Sequence, residues 1–248
     1  MKRLLVTLLI MPILSGASFA AEIRILSAGA VETGLQAFAQ VVKRETGDEL
    51  KAQFNTTPQI AKRIATGDVF DIVIAPPDVI TQAVKDGKLV AATRVTVGRV
   101  GGGVVVRSGA AMPDIGSVDA LKRALLAADS VVYNTASSGI YLDKLFEKMG
   151  ILDQLKPKTA RYPGGTEVME HVSKGKDNEI GFGAITEIKA YEPKGVRLVG
   201  PLPADVQNYT RYEAAMMTDA TSPEAAKAVL RRIAAPAGRA VFLAGGVE

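Results

Sequence analysis

Four short segments carry the residue types that can hold an anion without a metal or a formal positive charge. They are Ser27-Ala28-Gly29-Ala30, Asn55-Thr56-Thr57, Thr135 to Gly139, and Gly164-Gly165-Thr166. Each lies just before a stretch with apolar residues at helical spacing. A helix N-terminus presents unpaired N–H groups and a partial positive charge. Ser and Thr add hydroxyl donors, while Gly and Ala let a ligand approach the backbone, so the combination favours an anion. Taken singly, each segment is an ordinary helix cap. Taken together, two from the first half of the chain and two from the second suit a cleft between two lobes.

Composition removes most rival chemistries. The 248 residues include no Cys and a single His, His171. That excludes thiolate metal sites, iron–sulfur clusters, disulfides, a Cys nucleophile and a His–His metal pair. A secreted hydrolase with a Ser nucleophile would need His171 as its base, and no GxSxG elbow occurs. No metal, no cofactor and no enzymatic activity are therefore expected. His171 itself reads as a surface or interlobe histidine, and Lys174 to Glu179 as a solvated turn.

The elements that would position the four segments alternate between strand and helix, which argues for an α/β sheet covered by helices. Ile23 to Leu26 reads as a strand, followed by a helix with Leu35, Phe38, Val41 and Val42 on one face and Gly47 as its C-cap. Leu50 to Phe54 is a second strand, and Asn55-Thr56-Thr57-Pro58 opens a helix that ends at Gly67. Phe70 to Ala75 has the near-continuous apolar run of a central parallel strand, broken by Pro76-Pro77-Asp78. Further on, Val131 to Tyr133, Ile180 to Ile185, Val196 to Val199 and Tyr212 to Met217 read as strands. Gly98 to Gly103 reads as hinge or strand entry, and Tyr209 and Tyr212 as packing near a hinge. Ser222-Pro223 opens the last helix.

The chain resembles the periplasmic solute-binding proteins of ABC importers, specifically those similar to molybdate-binding proteins. The resemblance rests on IRILSAGAVETGLQAFAQVVKRETG, FNTTPQIAKRIATGDVFDIVIA, SSGIYLDKLFEKMGI and the late IGFGAI run. It implies a two-lobed, doubly wound α/β fold, a Venus flytrap with a hinge, that closes on an oxyanion. The implied lobes are 21–97 with 205–248, and 98–204. The implied ligand set is Ser27, Gly29, Ala30, Thr56, Thr57, Ser137, Ser138, Gly139, Gly165, Thr166 and Ala184. Two of these depart from the family pattern. Ala30 stands where the family carries a Ser hydroxyl, and Ala184 falls near the position of a ligand-touching Tyr.

Residues 1–20 read as a secretory signal peptide: Lys2 and Arg3, an apolar run over 4–14, then small residues ending in Ser18-Phe19-Ala20. Its removal lowers the formal charge from +4 to +2, and no cluster of Lys or Arg with interleaved aromatics occurs. Nucleic acid is therefore not an expected partner. The expected partners are a small anion and an ABC permease, in the periplasm, and a monomer suits the fold. Two alternatives stay open: an organic carboxylate or phosphonate gripped partly by Arg99 or Arg161, and, less favoured, the hydrolase.

Overall fold

The computed structural model describes residues 20–248. The expected leader, residues 1–20, lies outside the described residues except for Ala20. The chain opens with β1 (Glu22–Ala28), α1 (Glu32–Thr46), β2 (Glu49–Asn55), α2 (Thr57–Ala65), β3 (Ile72–Ala75) and α3 (Pro77–Lys85). It continues through β4 (Val95–Arg107), α4 (Val118–Ala127), β5 (Ser130–Asn134), α5 (Ser137–Lys148), α6 (Leu152–Leu155), β6 (Thr159–Tyr162), α7 (Gly165–Ser173) and β7 (Glu179–Ala184). It closes with α8 (Ile185–Tyr191), β8 (Val196–Pro201), β9 (Tyr209–Met216), α9 (Pro223–Ala234) and α10 (Pro236–Ala244).

The strands run in the order β2-β1-β3-β9-β4-β7-β5-β6, with β8 also on β4. β1 is parallel to β2 and β3, with Ile23 opposite Leu50 and Ile25 opposite Ile72. β5 is likewise parallel to β6 and β7. The long β4 joins the two halves. Its first part, to Gly101, pairs antiparallel with β9, and its second, from Gly102, pairs with β7 and β8. The Gly98–Gly103 stretch is thus the middle of one strand, crossing from one hydrophobic core to the next.

Those cores are separate. One gathers Ile25, Phe38, Ile72 and Ile74 with Val229, Ile233 and Phe242 from the chain's end. Around β5 and β7, Tyr133, Phe146 and Phe182 pack on one face, and Val132, Val168, Met169 and Ile188 on the other. Each such side chain contributes roughly 1.5–3 kcal/mol on burial. The protein is therefore a two-lobed α/β fold, linked by β4 and by residues 202–208 between β8 and β9.

Asp71 explains why the FDIVIA run becomes a strand only from Ile72. Its buried carboxylate accepts from the Arg24 N–H (2.8 Å), the Thr221 hydroxyl (2.9 Å) and the Ser222 N–H (3.0 Å). Burial alone would raise its pKa, but these hydrogen bonds outweigh it and hold the group below the ordinary carboxylate value. Asp71 thereby ties β3 to the start of α9.

Three expectations change. The last helix is α10, which follows α9 and sets Phe242 at 5.4 Å from Phe38. The late strand begins at Tyr209, because Tyr209 to Tyr212 pair with Gly101 to Gly98. The IGFGAI strand ends at Ala184, and Ile185 starts a helix. Ala184 is the N-cap of that helix and Glu187 its third residue.

Candidate functional site

A cleft of about 600 Å³ opens where the lobes meet. It is lined by the starts of α1, α2, α5, α7 and α8, at the carboxyl ends of their strands, where doubly wound sheets place ligands. Of the expected site residues, Gly29, Ala30, Thr56, Thr57, Ser137, Ser138, Gly165, Thr166 and Ala184 all line it. The lobes touch here. A Cβ on Gly164 would sit 2.9 Å from the Thr56 methyl, and the Thr186 hydroxyl donates to the Ala30 carbonyl (2.6 Å). Ala30 and Ala184 line the cleft but, as alanines, neither supplies a hydroxyl there.

Two expected residues do not reach the cleft. Ser27 is fully buried and its hydroxyl donates to the Ala28 carbonyl (3.2 Å), because its place in β1 turns it into the lobe. The Gly139 N–H is spent on the Asn134 side-chain oxygen (3.2 Å), which also takes the Ala136 N–H (3.0 Å). The Asn134 amide reaches the Ser138 hydroxyl as well (2.9 Å). Asn134, at the end of β5, thus braces the start of α5 from two residues before its N-cap Ala136, and Gly139 is glycine because a Cβ there would lie 1.7 Å from the Asn134 carbonyl.

The cleft holds a residue the sequence reading missed, Glu187. Its carboxyl group lies between the starts of two helices from opposite lobes. A Cβ on Gly165 would meet one of its oxygens at 2.1 Å, and a Cβ on Gly29 the other at 3.2 Å. Burial pushes Glu187 up to about 7. The Ala184 N–H pulls it down, and the nearby Glu32 and Glu167 carboxylates push it up further. Near neutral pH it is therefore poised between acid and base. Tyr212, also on the cleft wall, is raised well above its ordinary value by burial and then by the Glu187 charge. Lys194 is the one cation lining the cleft among the described residues, and its ammonium lies over the Tyr191 ring at 4.1 Å.

The other candidates stand apart. Arg161 is held by Asp143 (2.9 and 3.1 Å) and the Asn134 carbonyl, over the Tyr133 ring. Arg99 pairs with Glu248 (3.1 Å) over the Tyr209 ring. Neither lines the cleft, so the expectation that one grips an organic anion there is not met. His171 is engaged by the Tyr162 hydroxyl (2.6 Å) and by Glu179 (3.1 Å). Glu179 is buried instead of lying in a solvated turn, and it separates His171 from Ser130. Among the described residues, no serine hydroxyl bonds to His171. Among the described residues, no group of His, Asp and Glu gathers closely enough to hold a metal, and no helix is long and apolar enough to cross a membrane.

Solved structures share the architecture. The periplasmic molybdate-binding protein of Azotobacter vinelandii superposes with a TM-score of 0.74 at 14% identity, over 91% of this chain and 98% of that one. The sulfate-binding protein of Mycobacterium tuberculosis gives 0.71 at 18% identity, over 92% and 86%. In sequence, the chain is 31% identical to an aconitate isomerase of a Pseudomonas species over 215 residues, covering 85% of this chain and 81% of that protein. The model of the bacterial extracellular solute-binding protein family matches residues 23–248. With its two lobes and the cleft between them, the chain belongs to the bacterial extracellular solute-binding proteins.

Proposed function

We propose that this protein captures a small organic carboxylate in its interlobe cleft and delivers it to the permease of an ABC importer. The observation that carries the ligand class is Glu187, an ionisable carboxyl between the Gly29 and Gly165 helix starts. The cleft also lacks the side-chain hydroxyls at Ala30 and Ala184 that a tetrahedral oxyanion would use. The volume of the cleft also suits a small organic molecule. The name of the Pseudomonas relative points to the same class.

In this reading residues 1–20 direct export to the periplasm and are then removed. The lobes are 21–97 with 205–248, and 98–204. Thr57, Ser137, Ser138, Gly165 and Thr166 donate to the ligand carboxylates. Closure about the middle of β4 and residues 202–208 excludes water, which strengthens each of these bonds. Calorimetric titration with cis-aconitate, trans-aconitate, citrate, molybdate and sulfate tests it. A carboxylate must bind and the two inorganic anions must bind more weakly. Tight binding of molybdate or sulfate alone refutes it.

One observation favours a second reading, in which the cleft also isomerises its ligand. A carboxyl poised at about 7 is suited to accept and return a proton at neutral pH. Glu187 would take a proton from the methylene beside the double bond of an unsaturated tricarboxylate. The released C–H electron pair forms the new double bond, the old one shifts, and its far carbon takes the proton back from Glu187. No oxidant or second reactant is needed. Incubation with cis-aconitate, followed by NMR in heavy water, must give trans-aconitate and exchange into solvent, both lost in Glu187→Gln. A cleft that binds without turnover leaves the transport reading alone.

A further inference from the structure

We propose that Glu187 makes capture proton-coupled, so that the cleft takes up a carboxylate together with one proton and lets it go as the pH rises. The proposal rests on the reading of the cleft as a carboxylate site and adds how that site is regulated.

The placement of Glu187 carries it. The residue sits in the first turn of α8, with its oxygens wedged against Gly165 of one lobe and Gly29 of the other. Any anion drawn to those two helix starts must lie beside it. As a carboxylate, Glu187 only accepts hydrogen bonds and repels such a ligand. With a proton it becomes a donor, and an O–H bond to a carboxylate oxygen is among the strong, short kind.

The surroundings press the same way. α1 brings Glu32, α7 brings Glu167, and β9 brings the Tyr212 phenol. The cleft-facing part of β4, Val100 to Gly102, brings no charge, and the turn after α8 brings Lys194. Two further carboxylates against one cation leave the site with negative charge to shed before an anion enters. Protonating Glu187 is the route at hand, since it titrates near neutral pH.

The test is calorimetry of the wild type and Glu187→Gln with trans-aconitate, run at pH 8 in two buffers of different ionisation heat. The wild type takes up about one proton per ligand, and its affinity falls about tenfold per pH unit above 7. Glu187→Gln takes up none and shows a flat profile. Binding by the wild type without proton uptake, or the same slope in both proteins, overturns the proposal alone. Failure of both trans-aconitate and citrate to bind either protein overturns the carboxylate reading, and this proposal with it. The wild-type comparison decides the matter even if the variant does not fold.

Discussion

Replacing Glu187 with Gln removes a carboxyl group whose charge the folded state disfavours. Its pKa rises from 4.5 to about 7 on folding. The folded protein therefore holds a proton that the unfolded chain gives up across this window. Stability from this group is fully present below pH 4.5 and is lost as the pH climbs through 7. At 1.36 kcal/mol per unit the loss is at most about 3 kcal/mol at pH 8. For a chain of this length that corresponds to roughly 6–12 °C in Tm. Gln mimics the protonated acid at every pH, so the variant matches the wild type near pH 4.5 and melts higher at pH 8. Circular dichroism melts of both proteins from pH 4.5 to 8.5 read the difference, and subtraction cancels the other titrating groups. A difference that is flat with pH, or that favours the wild type at pH 8, refutes the burial argument for Glu187.

Four further substitutions separate the roles assigned above. Gly139→Ala forces a Cβ onto the Asn134 carbonyl and costs about 3 kcal/mol, read in denaturant unfolding. Asp71→Ala strands two backbone N–H groups and a hydroxyl and costs about 3 kcal/mol or more, while trans-aconitate affinity in the folded fraction stays the same. Arg161→Ala breaks a partly exposed ion pair, costs about 1 kcal/mol and leaves trans-aconitate titration unchanged, whereas Thr57→Ala loses a donor and weakens binding by about fivefold.

Much of the architecture is legible because its signals are local. Gly47 ends α1 in the left-handed conformation, with φ of 81°. Thr56 and Pro58 mark the start of α2, the hydroxyl-rich turn Thr135 to Ser138 marks the start of α5, and Gly164-Gly165 marks that of α7. What stayed hidden depends on distant partners. The strand-to-helix change at Ala184 carries no Pro, Ser, Thr, Asn or Asp N-cap, and the apolar run IGFGAI masks it. The signal present was Glu187 three residues after the cap. Its importance arises from Gly29, more than 150 positions away, which no local pattern reveals. Arg161 looked free to reach a ligand, but Asp143, from the facing turn of α5, had already claimed it. Ser27 carried the right hydroxyl, yet the alternation of β1 turned it inward.

The most direct test of the central claim is native mass spectrometry of the protein exported by its own cells, before and after denaturation. The account predicts one small organic carboxylate per chain, retained by the wild type and lost from a Gly165→Leu variant whose cleft is filled. One molybdate or sulfate per chain, or a carboxylate held equally by the filled variant, would contradict it.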